Sequence, residues 1–146
     1  MKFSFLFCSL LGVAVNPFPV QAQQTASVAV VKPASAALGY SQVAADIARL
    51  LQQATALPDA QAVALLRRES PALQAKARQV KPAYVRWVRS LSPAGRIAEQ
   101  KRLDASPWYQ YFSTLDLDKT PLGVKAKHNR TLAEQVFNLM DFADGV

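Results

Sequence analysis

Between Arg78 and Leu91 the chain separates apolar from cationic positions at the period of an α-helix. Five large apolar residues share one stripe: Val80, Tyr84, Trp87, Val88 and Leu91. Arg78, Arg86 and Arg89 fall on the opposite side. The pattern predicts a helix that buries one face in a core and exposes the other to water or to an anion.

An upstream helix is predicted from about Gln42 to Ala56. Ser41 is placed to cap it, because a serine oxygen accepts a hydrogen bond from an unpaired N–H of the first turn. Its apolar stripe consists of Val43, Ile47, Leu50, Leu51 and Ala54. Pro58 ends this helix, and a shorter one is predicted over residues 59–68.

Three serine-proline pairs predict helix starts further along: Ser70-Pro71, Ser92-Pro93 and Ser106-Pro107. Proline suits the first helical position because its missing N–H would be unpaired there anyway. The dipeptide Lys81-Pro82 predicts a kink or a restart, followed by a helix through Tyr84 that ends near Ser90. The pairs are unevenly spaced, which argues against an internal repeat, and a more polar surface helix is predicted over residues 94–103.

Residues 107–115 carry an aromatic cluster that either closes one end of the core or serves as an exposed docking patch. Burial is the favoured interpretation, because aromatic side chains bury large areas. The docking candidates are Trp108, Tyr109 and Tyr111. A loop is predicted over residues 116–123, and a final helix runs from Lys125 or Asn129 to Ala143. Its predicted buried side consists of Leu132, Val136, Phe137, Leu139 and Met140.

No segment alternates β-branched residues between hairpin turns, so no sheet is expected. With 146 residues and 51% hydrophobic composition, the chain has material for one modest core. The prediction is an all-α fold, an antiparallel bundle of four or more helices joined by short loops, in a single domain over residues 39–146.

Residues 1–22 have the charged start, apolar centre and small-residue end of a secretory signal peptide. The apolar run of about 13 residues is shorter than the roughly 20 that a membrane span needs. Residues 23–38 are predicted to form a flexible N-terminal arm. Export to a periplasm, a thylakoid lumen or the extracellular space is expected, and the only cysteine, Cys8, would leave with the signal.

The net charge of +7 becomes +6 when Lys2 leaves with the signal, so the mature chain stays basic. A positive surplus favours the acidic surface of a protein partner or an anionic membrane surface, and export makes nucleic acid the least favoured anion. The predicted partner-binding face consists of Arg78, Arg86, Arg89, Arg96, Lys101 and Arg102. A basic face of this kind is also common as a merely solvated surface.

Few residues suit catalysis. His128 is the only histidine, and the five glycines form no phosphate-binding loop. No nucleophile elbow is present. The chain is therefore predicted to be non-enzymatic, without a metal site or another cofactor.

A set of motifs follows one order along the chain between about Gly39 and Ala143. The set begins with Tyr40 and Ala56-Leu57-Pro58, continues with Ala77-Arg78, Tyr84, Arg86, Trp87 and Arg89, and ends with Pro121-Leu122, Lys125 and Lys127. In this order the chain resembles the small lumenal photosystem II assembly and repair factor of cyanobacterial and chloroplast thylakoids. The last helix is also similar to that of the extrinsic Q subunit of the same photosystem, at Phe137, Met140, Asp141 and Asp144. The resemblance implies a four-helix bundle that docks transiently on photosystem II during assembly, without catalysis.

The sequence therefore predicts an exported, non-enzymatic helical protein that binds a protein partner, with the photosystem accessory role as its most concrete form. The alternative is a secreted effector or a periplasmic inhibitor, whose contact would be the loop over residues 116–123. A third class is binding to an anionic membrane surface through the basic face.

Overall fold

The computed structural model describes residues 35–116 and 118–142, which form six α-helices and no β-strand. The helices are α1 (Ser35–Ala56), α2 (Asp59–Ser90), α3 (Pro93–Asp104), α4 (Pro107–Thr114), α5 (Pro121–His128) and α6 (Arg130–Met140). The predicted all-α class is confirmed. The predicted signal peptide, residues 23–34 of the arm, Ala143 and Asp144 lie outside the described residues.

Helices α1 and α2 form an antiparallel hairpin that is the centre of the fold. Tyr40 near the start of α1 stacks on Tyr84 near the end of α2, whereas Leu57 and Pro58 join the helices at the other end. Every residue of the predicted α1 stripe is buried. The predicted start of α1 is wrong, because the helix begins at Ser35 and includes residues 35–38 of the predicted arm. Ser41 therefore lies within the helix and does not cap it.

Helix α2 continues through Pro71 and Pro82, so the predicted start at Ser70-Pro71 and the predicted restart at Lys81-Pro82 are wrong. Both prolines are exposed. Proline removes the N–H that would bond to the carbonyl four residues earlier, and at an exposed position water can bond to that carbonyl instead. The inner side of α2 remains packed across both sites, with Leu66, Ala77 and Tyr84 buried. Packing therefore overrides the local preference for a break.

The same dipeptide does break the helix at Ser92-Pro93, as predicted. Leu91 is extended, with ψ of 145°, and the Ser92 hydroxyl caps α3 by accepting a hydrogen bond from the Gly95 N–H at 3.1 Å. The Ser70 hydroxyl is buried and has no hydrogen-bond partner among the described residues. The break before α3 thus lets the Ser92 hydroxyl form a capping hydrogen bond. The continuous α2 leaves the Ser70 hydroxyl without a partner among the described residues.

The aromatic cluster of α4 belongs to the core, which is the interpretation that the sequence favoured. Tyr40 contacts three other rings: Tyr84 at a centroid distance of 4.1 Å, Phe142 at 4.8 Å and Trp108 at 5.9 Å. Burial, and then the neighbouring Tyr109, raise the pKa of the Tyr40 hydroxyl above its ordinary value. This ring cluster joins α1, α2 and α4 to the turn after α6.

The C-terminal part contains two helices where one was predicted. Thr120 and Asn129 cap α5 and α6, because their side chains accept hydrogen bonds from the backbone N–H groups of Gly123 and Leu132. The predicted loop over residues 116–123 therefore ends at Thr120. The predicted burial of Phe137 is also wrong, since this side chain is 54% exposed on the outer side of α6.

Lys125 of α5 stabilises the end of α1. Its ammonium donates hydrogen bonds to the carbonyl oxygens of Thr55 at 2.8 Å and Leu57 at 2.6 Å. The last turn of α1 contains no basic residue of its own. A cation from α5 thus supplies the positive charge that the negative end of a helix dipole favours.

Replacing Pro71 with alanine should raise the free energy of unfolding by about 2 kcal/mol. Proline costs about 3 kcal/mol more than alanine inside a helix and recovers about 1 kcal/mol or less by restricting the unfolded chain. Urea denaturation followed by circular dichroism measures the change. Pro93→Ala is the matched control and should not stabilise, because Pro93 occupies the favoured first position of α3. Loss of stability in Pro71→Ala would contradict a continuous α2.

Candidate functional site

The outer surface of α2 exposes the arginines that the sequence placed opposite the apolar stripe. Arg78, Arg86 and Arg89 are exposed, whereas Tyr84 is fully buried and Trp87 packs against the core. A helix advances 100° per residue, so these three arginines fall within about 80° of one another around the axis. The predicted separation of an apolar inner face from a cationic outer face is confirmed.

Helix α3 carries Arg96 and Lys101 on its exposed side. Ile97 lies between their directions around the helix axis and is 60% exposed. Only Glu99 and Leu103 of this helix are buried. The outer side of α3 therefore combines two cations with one large apolar side chain.

Arg102, which the sequence placed on the partner-binding face, is half-buried and bonded to side chains of the fold. Its Nε and Nη2 donate hydrogen bonds to the two carboxylate oxygens of Glu99 at 2.7 and 2.6 Å, and its Nη1 donates to Ser41 Oγ at 2.8 Å. The Tyr84 hydroxyl donates to the same carboxylate at 2.7 Å. All three guanidinium nitrogens are thus bonded to neighbouring side chains, so Arg102 acts in the fold.

Four side chains from α1, α2 and α3 form this network. Glu99 is only 6% exposed, and a carboxylate so deep in a protein is stable only when its charge is paired and hydrogen-bonded. The hydrogen bonds to Glu99 raise the pKa of the Arg102 guanidinium. Burial, and then the bond to Glu99, raise the pKa of the Tyr84 hydroxyl. The network holds α3 against the α1–α2 hairpin.

The middle of the chain carries a surplus of positive charge. Residues 67–102 contain ten lysines and arginines against two glutamates, a difference of +8. Both glutamates pair locally, Glu69 with Arg68 and Glu99 with Arg102. Seven exposed cations of this segment have no acidic partner among the described residues, and we call them the cationic face: Arg67, Lys76, Arg78, Arg86, Arg89, Arg96 and Lys101.

Exposed cations outside this segment are arranged differently. Arg49, Lys119, Lys127 and Arg130 each form an ion pair with a nearby carboxylate. Such pairs contribute little to stability, on the order of 0–1 kcal/mol each, but they neutralise the local surface. The exposed cations without an acidic partner are therefore concentrated in residues 67–102 of the described chain.

A recurrence within this segment escaped the sequence analysis. Arginine recurs at 67, 78 and 89, and a Pro-Ala dipeptide follows four residues after each, at 71, 82 and 93. The interval between successive copies is the same each time. The search for serine-proline pairs missed this recurrence, because Pro82, the middle proline, follows Lys81 and not a serine. A comparison of the segment with itself, shifted by this interval, would have found it.

The docking aromatics suggested by the sequence do not form an exposed patch. Trp108 is 8% exposed and lies edge-on to Tyr40. Tyr109 and Tyr111 are half-buried against the core, and the Tyr109 hydroxyl accepts a hydrogen bond from Gln100 Nε2 at 3.2 Å. These side chains stabilise the packing of α4 against the rest of the bundle.

Other kinds of site receive no support from the part of the chain that is described. It contains no group of three or more histidine, cysteine, aspartate or glutamate side chains placed to hold a metal ion. None of its helices combines the length and the hydrophobicity needed to cross a bilayer. The chain matches no family model, no curated protein and no solved structure at a significant level.

The buried tyrosine of the network predicts a loss of stability at alkaline pH. Above pH 10 the unfolded chain releases tyrosine protons, whereas Tyr84 keeps its proton in the folded protein because its pKa is raised. The unfolded state then binds fewer protons, so the free energy of unfolding falls as the pH rises, by at most about 1.4 kcal/mol per pH unit for each such group.

Urea denaturation between pH 8 and pH 11 measures this dependence. Tyr84→Phe keeps the ring and removes the ionisable hydroxyl, so its stability should fall less steeply above pH 10 than that of the parent. Arg130→Ala, an exposed change outside the network, should fall as steeply as the parent. Equal slopes for Tyr84→Phe and the parent would show that the Tyr84 hydroxyl is not protected in the folded state.

Proposed function

We propose that the protein is an exported, non-enzymatic binding protein that docks on an acidic surface of a protein partner through the cationic face. The observation that carries the proposal is the set of seven exposed cations without an acidic partner in the described residues. Exposed cations elsewhere on the described surface are neutralised by nearby carboxylates.

Electrostatics favours an anionic partner at this surface. Like charges held on one surface repel, and they attract an oppositely charged surface from a distance of about one Debye length, about 8 Å at physiological salt. Arginine also suits carboxylates, because its planar guanidinium donates two parallel hydrogen bonds to them. Four of the five exposed residues predicted for this role are arginines: Arg78, Arg86, Arg89 and Arg96, with Lys101 as the fifth.

The resemblance to the lumenal photosystem II assembly and repair factor gives the proposal its most concrete form. In that form the protein docks transiently on acidic lumenal surfaces of the photosystem during assembly. Export rests on the sequence of residues 1–22 alone. The motif residues Arg78, Arg86 and Arg89 lie on the cationic face, which supports the placement of the docking surface on α2.

One observation favours a second candidate, an anionic membrane surface. Ile97 is 60% exposed beside cations of α3, and a lipid surface can take up an apolar side chain while its anionic head groups pair with the cations. A secreted effector or inhibitor is the remaining alternative, with the loop of residues 116–120 as its contact. These candidates predict different partners and are separated by the test below.

The test is affinity capture by the tagged mature protein from the envelope or membrane extract of its own source, at low and high salt. The parent should retain an acidic protein at low salt and release it at high salt. The variant that combines Arg86→Glu and Arg89→Glu should lose at least tenfold in affinity for that protein. Its melting temperature should stay within a few degrees of the parent, because both positions are exposed.

A charge-matched control makes the result specific. Lys119→Glu combined with Lys127→Glu changes the net charge equally at exposed sites away from α2 and should retain the partner. Equal loss in both variants would mean that net charge alone drives capture. Binding of the parent to phosphatidylserine vesicles in preference to any captured protein would replace the proposal with the membrane candidate.

A further inference from the structure

The arginine–proline recurrence places three arginines in a row along α2. Eleven residues make about three helical turns, so each arginine lies about 16 Å further along the axis and only about 20° around it. Arg67, Arg78 and Arg89 are all exposed. On a continuous helix they form a row of positive charge about 33 Å long.

The prolines that follow these arginines change the hydrogen bonding of the arginine carbonyls. A proline four residues after each arginine cannot donate the helical hydrogen bond to the carbonyl of that arginine. At Arg67 and Arg78 the helix continues nevertheless, and at Arg89 it ends one residue later. Each arginine of the row therefore offers both a cationic side chain and a backbone carbonyl without its usual helical donor.

The exposed side chains between the arginines of the row are small. Ala64, Pro71, Ala75 and Pro82 are exposed on this side of α2, and none of the large exposed apolar residues of the described chain lies on α2. Small side chains allow the backbone of another helix to approach closely. The row is therefore flanked by small exposed side chains and the half-buried Val85, without a large exposed apolar anchor.

We propose that this row is a docking track for an acidic α-helix of the partner protein, whose carboxylates recur at the same interval as the three arginines. The inference rests on the proposed function and specifies the partner's contact. A partner helix has the same rise per residue as α2, so carboxylates at this interval face all three arginines in register. Each arginine can then bind one carboxylate through two parallel hydrogen bonds.

Two features favour a helix over a membrane surface for this row. Amide or hydroxyl side chains of a protein helix can replace water at the carbonyls that lack their usual helical donor, whereas the phosphate oxygens of a lipid surface cannot. A membrane-resting surface also inserts large apolar side chains among the head groups, and the outer side of α2 exposes none. Membrane contact through Ile97 on α3 would leave this row free.

The test compares two synthetic helical peptides of equal length and identical composition, built from alanine and glutamine with three glutamates. The in-register peptide carries glutamate at positions 6, 17 and 28, the interval of the arginines. The out-of-register peptide carries glutamate at positions 4, 17 and 30, so that each outer glutamate turns about 220° from the central one and faces away. Circular dichroism verifies equal helicity, and fluorescence anisotropy of the labelled peptides measures binding to the mature protein at low salt.

The in-register peptide should bind at least tenfold more tightly than the other. The variant that combines Arg67→Ala, Arg78→Ala and Arg89→Ala should lose this preference. The charge-matched variant Lys119→Ala, Lys127→Ala and Arg130→Ala should keep it, because those cations lie outside α2. Equal binding of the two peptides, or binding of neither, would overturn the docking track.

The outcome separates this inference from the proposed function. If the Arg86 and Arg89 reversals abolish partner capture but the two peptides bind equally, the partner uses the cationic face without helical register. In that case the docking track falls and the proposed function stands. Failure of both experiments would remove both proposals.

Discussion

The rest of the structure depends on the packing of the inner face of α2 against α1. This face is buried at intervals from Ala62 to Tyr84, so α2 stays helical across two prolines. Each interior proline costs about 3 kcal/mol. Full burial of a side chain such as Leu66 contributes about 1.5–3 kcal/mol, and Tyr84 adds a ring stacked on Tyr40. Tertiary burial on one side of the helix thus outweighs an unfavourable backbone on the other, where the prolines meet water.

The continuous helix also decides which arginines serve the fold and which face solvent. At its end, Tyr84 meets Glu99 and Arg102, and their network turns α3 back onto the hairpin. This network engages Glu99, and the other acid of α3, Asp104, accepts a hydrogen bond from Gln100 Nε2 at 2.8 Å. The other acid of the segment, Glu69, pairs with its neighbour Arg68. The carboxylates of Glu69, Glu99 and Asp104 are thus bonded to other side chains, and the cations of the cationic face have no acidic partner among the described residues.

Periodicity in the sequence was sufficient to predict the helical class, the buried stripe of α1 and the opposite faces of α2. It failed where two local signals were identical but their tertiary surroundings differed. Ser70-Pro71 and Ser92-Pro93 have the same dipeptide, and only the buried neighbours of Ser70 keep the helix continuous there. Arg102 was placed on the surface because its helical neighbours are basic, and its bond to Ser41, 61 residues away in the chain, depends on the packing of α3 against α1. Contacts of this kind leave no periodic pattern.

The central claim is that α2 is one continuous helix that carries the arginines, and a distance across both prolines tests it most directly. The chain has a single cysteine, Cys8, so replacing it with serine allows spin labels at A64C and R86C alone. Both positions are exposed. Double electron–electron resonance should give one narrow distribution centred at roughly 33 Å, the length of unbroken helix between the two labelled positions. A broad distribution, or one centred well below that distance, would show that α2 breaks at a proline and would contradict the account.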